Sequence, residues 1–364
     1  MAARTLSSPP SLRILLHKPL VRLGEPYFRV QQYVAALERL GHRPHLLDLG
    51  RLGDVGPHRK LLSVFGQVVA SARAFLRHDV VFVTPHPLVA LYVILAKALG
   101  CRVVVDQILT YLSHAEVLPF FPRALDGWVY RAADGILTHS ETMRRELIER
   151  FGVSPGRVWV VYPVLDLELF SRRHAAEAAR LRQSLGLGDR FVVFYHGMWH
   201  PWHGVPHIYE AARLLESRRD IVFVLMPRAG EPRPNLVLVD EQPFGRLPAY
   251  LEMADAWVSG FDSDARGERA FSSTLIQAMA LGAPVVTGRT GERAAVLRDG
   301  VEARFVPLRD ARTLATAVAA LADDRAGARA MGARARDFVE ANFSIARLDE
   351  VLARLLEAAA GPGR

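Results

Sequence analysis

The sequence predicts an α/β protein built as two Rossmann-like domains in tandem, each a parallel sheet with helices on its faces. Short unbroken apolar runs such as Val80-Val81-Phe82-Val83 and Ile221-Val222-Phe223-Val224 alternate with helix-period stretches. Strands buried on both faces read this way, without a polar alternation. The alternation starts afresh at Phe191, after an Arg/Ala/Glu-rich stretch from Ser171 to Arg190 with weak punctuation, which places a domain boundary there. A chain of 364 residues with 50% apolar content is also long enough for two ordinary cores.

In order, Leu12–Leu16 reads as a strand and Arg22–Tyr27, with Gly24, as a loop. Val30, Val34, Leu37 and Leu40 then recur at helical spacing, and Gly41 precedes a strand at Leu46-Leu47. Asp79–Val83, a helix over Leu88–Leu99, Gly100 and Cys101–Val105 repeat the unit. Ligands of such sheets bind where strands end, here at Arg22–Tyr27 and Asp106–His114. Residues 107–131 are less regular and set Phe120, Phe121, Arg123, Trp128, Tyr130 and Arg131 among prolines. They read either as an exposed aromatic and basic patch suited to a membrane interface or as a helix whose aromatics fill the core. Ala133–Ser140 leads into a charged helix, Glu141–Arg150, and Val158–Val161 is the next strand.

The second series runs through a strand at Phe191–Tyr195, a helix at Val205–Leu215, strands at Ile221–Met226 and Leu236–Val239, a helix near Pro248–Met253 and a strand at Ala256–Ser259. Beyond the stretch 260–290 come Thr290–Leu297, Ala303–Val306, and helices at Ala311–Ala322, Ala326–Phe343 and Ile345–Ala359. The expected domains are 1–170 and 171–344, with 345–364 as a terminal helix.

Composition narrows the function classes. The first ten residues lack an apolar segment, so no signal peptide is expected, and the run Leu88–Ala96 is too short to span a bilayer. A single cysteine, Cys101, excludes an internal disulfide and fits a reducing cytosol. The net charge of +8 sits mainly in residues 1–170, with 20 Lys+Arg against 14 Asp+Glu. That excess suits an anionic lipid surface or an acidic acceptor. No zinc-finger, RNP-type or Arg/Lys-run motif accompanies it, which argues against nucleic acid.

The stretch 260–290 runs loop, helix, tight turn, buried strand. Ser272, Ser273 and Thr274 offer N-cap hydroxyls, Gly282 ends the helix and Pro284 prevents its resumption before Val285-Val286. A helix that starts at a polar loop beside Arg269 presents free N–H groups and a positive dipole end to an anion such as phosphate. An ordinary capped helix packed on a sheet would read the same way.

Ala278-Met279-Ala280-Leu281-Gly282-Ala283-Pro284-Val285-Val286 resembles the signature of family 4 glycosyltransferases, Glu, seven residues, Glu, Ala-Met-Ala-x-Gly-x-Pro-Val-Val. In that family the second Glu holds the nucleotide ribose and the first touches the donor sugar. Here those positions are Gln277 and Arg269, and Glu268 lies one position out of register. The Ala-Asp segment at Ala133–Ser140 and the Asp166, Phe170 step also match the family, although Pro163-Val164 replaces its usual Asn-Gly. The resemblance implies the GT-B architecture, two Rossmann-like domains facing a cleft, with the last helix packing back on the first domain.

The stretch from Tyr195 to His207 contains four histidines, at 196, 200, 203 and 207. Two prolines and a glycine break any single helical face, and no cysteine or paired carboxylate completes a metal-ligand spacing. In the family this loop is Gly-Arg-x-x-x-x-Lys-Gly, whose Arg and Lys neutralise the donor diphosphate. Here Gly197 and Gly204 are kept, Met198 stands at the Arg position and His203 at the Lys position. The loop is most similar to a bacterial subgroup with Gly-x-x-x-Pro-x-His-Gly.

The implied function is a cytoplasmic glycosyltransferase, peripheral to the inner membrane face. It would move a sugar from a nucleotide-sugar donor to a glycan or lipid-linked acceptor, with retention, without metal or cofactor. Expected donor-binding residues are Gly197, His203, Gly204, Glu268, Ser272, Ser273, Thr274 and Gln277, with Gly24 in a cleft loop. Arg269 would meet the leaving diphosphate, and Asp106, where many family members carry a His, would act near the reacting sugar. The alternatives are a non-catalytic partner subunit or nucleotide-sugar binding module on the same fold, or a sugar-nucleotide epimerase.

Overall fold

The computed structural model describes residues 11–18, 24–48, 60–84, 89–107, 123–171, 173–197, 203–228, 230–262 and 267–360. The chain divides into two compact units, one of residues 1–139, 143–161 and 348–364, the other of 140–142 and 162–347.

In the first unit, β1 (Arg13–Lys18), α1 (Gly24–Arg39), β2 (Arg43–Asp48), α2 (Lys60–Phe75), β3 (Val80–Val83), α3 (Val89–Ala98), β4 (Arg102–Gln107), α4 (Arg123–Ala132), β5 (Gly135–Thr138), α5 (Glu141–Phe151) and β6 (Val158–Val160) follow one another. The six strands form one sheet, ordered β2-β1-β3-β4-β5-β6 with every neighbouring pair parallel. All four residues of β3 are buried, as its unbroken apolar run requires, and so are those of β5, its polar Thr138 included.

Two readings of this half are corrected. Gly24 begins α1 and is not a loop residue. Pro26 is accommodated because its missing N–H falls in the first turn, where that donor has no intrahelical partner. The sequence reading passed over α2 altogether, whereas the helix offered as one reading of the stretch before residue 131 is present as α4.

The second unit contains α6 (Ala175–Ser184), β7 (Phe191–His196), α7 (Val205–Leu214), β8 (Ile221–Met226), β9 (Leu236–Leu238), α8 (Leu247–Glu252), β10 (Ala256–Ser259), α9 (Ser273–Ala280), β11 (Val285–Gly288), α10 (Gly291–Val296), β12 (Arg304–Val306), α11 (Ala311–Asp323) and α12 (Arg325–Asn342). Its sheet is again all parallel, in the order β12-β11-β10-β7-β8-β9. Helix α6 lies in the stretch read as the domain boundary, and Leu165 and Phe170 are buried in this unit's core, so the expected 170/171 boundary falls inside the second unit.

Helix α13 (Ile345–Ala360) belongs to the first unit from Leu348 onward. Leu352, Leu355 and Leu356 are buried there, and Arg39 of α1 donates two hydrogen bonds to the Asp349 carboxylate.

Candidate functional site

Strand order reverses direction in the second unit between β7 and β10, since β8 and β9 lie to one side of the pair and β11 and β12 to the other. In open parallel sheets a crevice opens at that point, beyond the carboxyl ends of the two strands. Strand β7 ends at His196 and β10 at Ser259, so the loops starting at Gly197 and Gly260 flank it. They are tied together, because the His203 carbonyl accepts hydrogen bonds from the N–H groups of Gly260 (3.2 Å) and Phe261 (3.3 Å).

Gly204 has a left-handed backbone, φ +64°, and caps α7; a Cβ there would sit 2.7 Å from the backbone of Phe261 and Asp262. Both the dihedral and the space demand glycine. Gly204→Ala is therefore expected to part the two loops. It should abolish binding of a ligand held between them and lower the melting temperature, checked by calorimetry with and without nucleoside diphosphate; wild-type values for both would contradict the close approach. Gly197 is also at positive φ, +140°, with the His203 ring close above it. The Nδ1 of His203 lies 2.9 Å from the Tyr195 hydroxyl, so the residue at the Lys position of the family loop is held by a phenol. Met198 and His200 lie outside the described residues.

Helix α9 begins as its hydroxyls suggest: Ser272 is the N-cap, and its Oγ accepts from the Leu275 N–H (3.2 Å) and sits 3.0 Å from Thr274 Oγ1. Ser273 and Gln277, four residues apart, share one helix face. A tight 3-10 turn over Gly267–Arg269 precedes this cap, and Arg269 is 9% exposed. Glu268, the shifted carboxylate, accepts the Gly291 N–H at 2.8 Å, so it serves the start of α10.

Sequence reasoning missed Trp257 and Arg293 and gave His196 no role beyond the rejected metal set. The indole N–H of Trp257 donates to His196 Nδ1 (2.9 Å), and His196 Nε2 is 3.0 Å from Gln277 Oε1. Burial pushes the His196 pKa down to about 4, so the ring is neutral at physiological pH. Arg293 is buried, and its Nη1 donates to the carbonyls of Gly260 (2.7 Å) and Gly288 (2.8 Å), which follow β10 and end β11. Burial lowers its pKa to about 10, partly offset by Glu268, and it stays a cation at neutral pH. No spacing in the sequence announces either arrangement, because each joins elements far apart in the chain.

In the first unit, Asp106 lies in β4 and is 3% exposed, beside a small cavity that His17, Tyr33 and Thr84 also line. Its Oδ1 accepts from the Tyr33 hydroxyl (3.2 Å), and Arg29 is 3.9 Å away. Burial raises its pKa to about 6 against the opposing pull of Arg29 and Tyr33. A carboxyl with a raised folded pKa carries extra proton in the folded state, so its ionisation lowers stability as pH rises from about 3.8 to about 6. Asp106→Asn removes that slope: relative to wild type its stability should gain about 3 kcal/mol across the window, at about 1.4 kcal/mol per unit. Hydrogen exchange of β4 amides reads this, and a difference that does not change with pH would refute it.

Of the aromatic and basic stretch, Trp128 is 39% exposed, whereas Tyr130 is buried and donates to Gln107 Oε1 (3.0 Å). Phe120 and Phe121 lie outside the described residues.

A model described as Glycosyltransferase Family 4 matches residues 28–169, and one described as Glycosyl transferases group 1 matches residues 190–324. The chain is 31% identical over 233 residues to a D-inositol 3-phosphate glycosyltransferase of Kineococcus radiotolerans, covering 57% of this chain and 53% of that protein. It is 28% identical over 290 residues to the GDP-mannose-dependent alpha-(1-6)-phosphatidylinositol monomannoside mannosyltransferase of Mycolicibacterium smegmatis, covering 72% of this chain and 73% of that one. The match spans about half the length of the first of these relatives. Among solved structures, Anabaena HepE in complex with UDP superposes with a TM-score of 0.73 at 14% identity, over 95% of this chain and 100% of that chain. The shared fold is GT-B.

Proposed function

Since the chain belongs to the glycosyltransferases of family 4 and group 1, whose models match its two halves, we propose that it transfers a sugar from a nucleotide-sugar donor to a glycan or lipid-linked acceptor, with retention. The observation that carries this reading is the pair of loops at the reversal point of the second sheet, tied through the His203 carbonyl. The capped N-terminus of α9 belongs to the same unit. A donor diphosphate needs backbone donors and positive charge where negative charge grows on departure. The N–H groups of α9 and the Arg269 side chain are the groups proposed to meet it, and Ser273 and Gln277 on one helix face are proposed to meet the nucleotide.

The names of the relatives bear on ligand class. One is named for D-inositol 3-phosphate, another for GDP-mannose and a phosphatidylinositol mannoside, and the HepE structure holds UDP. UDP, GDP and their sugar conjugates are therefore the first donors to try.

A second reading, a nucleotide-sugar binding module without turnover, is favoured by Glu268, whose carboxylate accepts the Gly291 N–H and so is engaged within the fold. Calorimetric melting against a panel of nucleoside diphosphates and nucleotide sugars, followed by single-turnover assays with whichever donor binds, separates the two. A specific donor at a hundredfold excess over its Kd should stabilise the fold by about 2.7 kcal/mol. A flat panel would overturn both readings, and binding without sugar release or transfer would leave the module.

A further inference from the structure

Gln277 stands where the resemblance places a ribose-binding carboxylate, and its amide is held from behind by two buried side chains. The order of donors in that chain can be read without ambiguity. An indole has only an N–H to offer, so the Trp257–His196 contact at 2.9 Å makes Nδ1 the acceptor. A neutral imidazole that accepts at Nδ1 carries its proton on Nε2. That proton faces Gln277 at 3.0 Å and must meet an oxygen, which fixes which end of the amide is carbonyl and which is nitrogen. Trp257 is fully buried, His196 is 5% exposed and Gln277 7% exposed, so water does not compete effectively for these bonds. Tilted contact between the two rings, with centroids 5.7 Å apart, and stacking of His196 on Phe194 hold the imidazole plane.

We propose that Trp257 and His196 are positioning residues that lock the Gln277 amide with its oxygen turned toward the ring and its nitrogen toward the ligand. Position 277 then reads its ligand as a hydrogen-bond donor, where a glutamate would read it as an acceptor. The identity of the ligand group, a ribose hydroxyl accepting from the amide, rests on the nucleotide reading above; the lock itself does not. A glutamate at 277 would accept the same Nε2–H, but it would then present only acceptor oxygen to the ligand.

Two measurements on the full chain test this. Long-range nitrogen–proton correlation spectra of wild type at neutral pH should show His196 as the Nε2–H tautomer, and Trp257→Phe should shift it toward a mixture. The Nδ1–H tautomer in wild type would overturn the lock whether or not any variant folds. Affinities for UDP and GDP are then compared with those for their 2′-fluoro and 3′-fluoro deoxy analogues, in which fluorine can weakly accept but cannot donate. Gln277 should tolerate one of these exchanges within about threefold, whereas Gln277→Glu should widen the same ratio by about tenfold or more, a difference of about 1.4 kcal/mol. An unchanged ratio, with nucleotide still bound, would overturn donor reading at position 277. If wild type binds neither nucleotide, the nucleotide reading falls, and the tautomer spectrum still decides the lock.

Discussion

Arg269→Ala is expected to weaken nucleoside diphosphate binding and to cut turnover by a factor on the order of 10² to 10³, the usual loss when one group stabilising transition-state charge is removed. The Arg and Lys that neutralise the diphosphate in the family resemblance are replaced here by Met198 and His203, and His203 lies against the Tyr195 hydroxyl. Arg269 closes the 3-10 turn three residues ahead of the Ser272 cap, beside the N-terminus of α9, where its charge and the helix dipole are proposed to act on the same anion. Arg269→Lys should recover only part of the loss, because an ammonium point charge replaces a planar fork. Isothermal calorimetry with UDP and GDP, run beside steady-state rates, checks both. The residue is only 9% exposed, so binding equal to wild type in Arg269→Ala would assign it to packing of the turn and remove it from the site.

Arg293→Met is expected to be the most destabilising of these changes. Its Nη1 serves two buried carbonyls, those of Gly260 and Gly288, at the ends of neighbouring strands β10 and β11. Methionine fills much of the volume but donates nothing, and each orphaned carbonyl costs about 1–3 kcal/mol, hence about 2–6 kcal/mol together. Against a typical global stability of about 5–15 kcal/mol that is a large fraction. Arg293→Lys should fall between, since one ammonium cannot reproduce the guanidinium geometry. Hydrogen-exchange protection of the β10 and β11 amides measures the effect locally; protection within about 0.5 kcal/mol of wild type, the scatter of ordinary surface substitutions, would show that the carbonyls find other partners.

The strands were legible because a sheet buried on both faces leaves only one kind of residue to use, and Val, Ile and Phe runs are conspicuous. Helix α2 was not, for a physical reason visible in its sides. Gln67 and Ser71 are buried while Phe65 is 69% exposed, so the helix inverts the expected pattern. Its inward hydroxyl, Ser71, meets His17 at 3.0 Å, a bond no periodicity foreshadows. The start of α9 was legible down to its hydroxyls, since capping is decided by residues three apart. The Trp257–His196–Gln277 chain and the Arg293 clasp were not, because their partners are brought together by strand order, which single-residue chemistry does not encode.

The double hydrogen bond on the His203 carbonyl makes the segments after β7 and β10 one unit of exchange. One oxygen receives both Gly260 and Phe261, and Gly204 lies against the same backbone, so the segments after β7 and β10 form a single heritable piece. A lengthened or transplanted loop on one side would have no seat on the other. Libraries that recombine the two segments independently should yield mostly inactive chains, while those that move 197–204 and 260–262 together from one relative should retain folding.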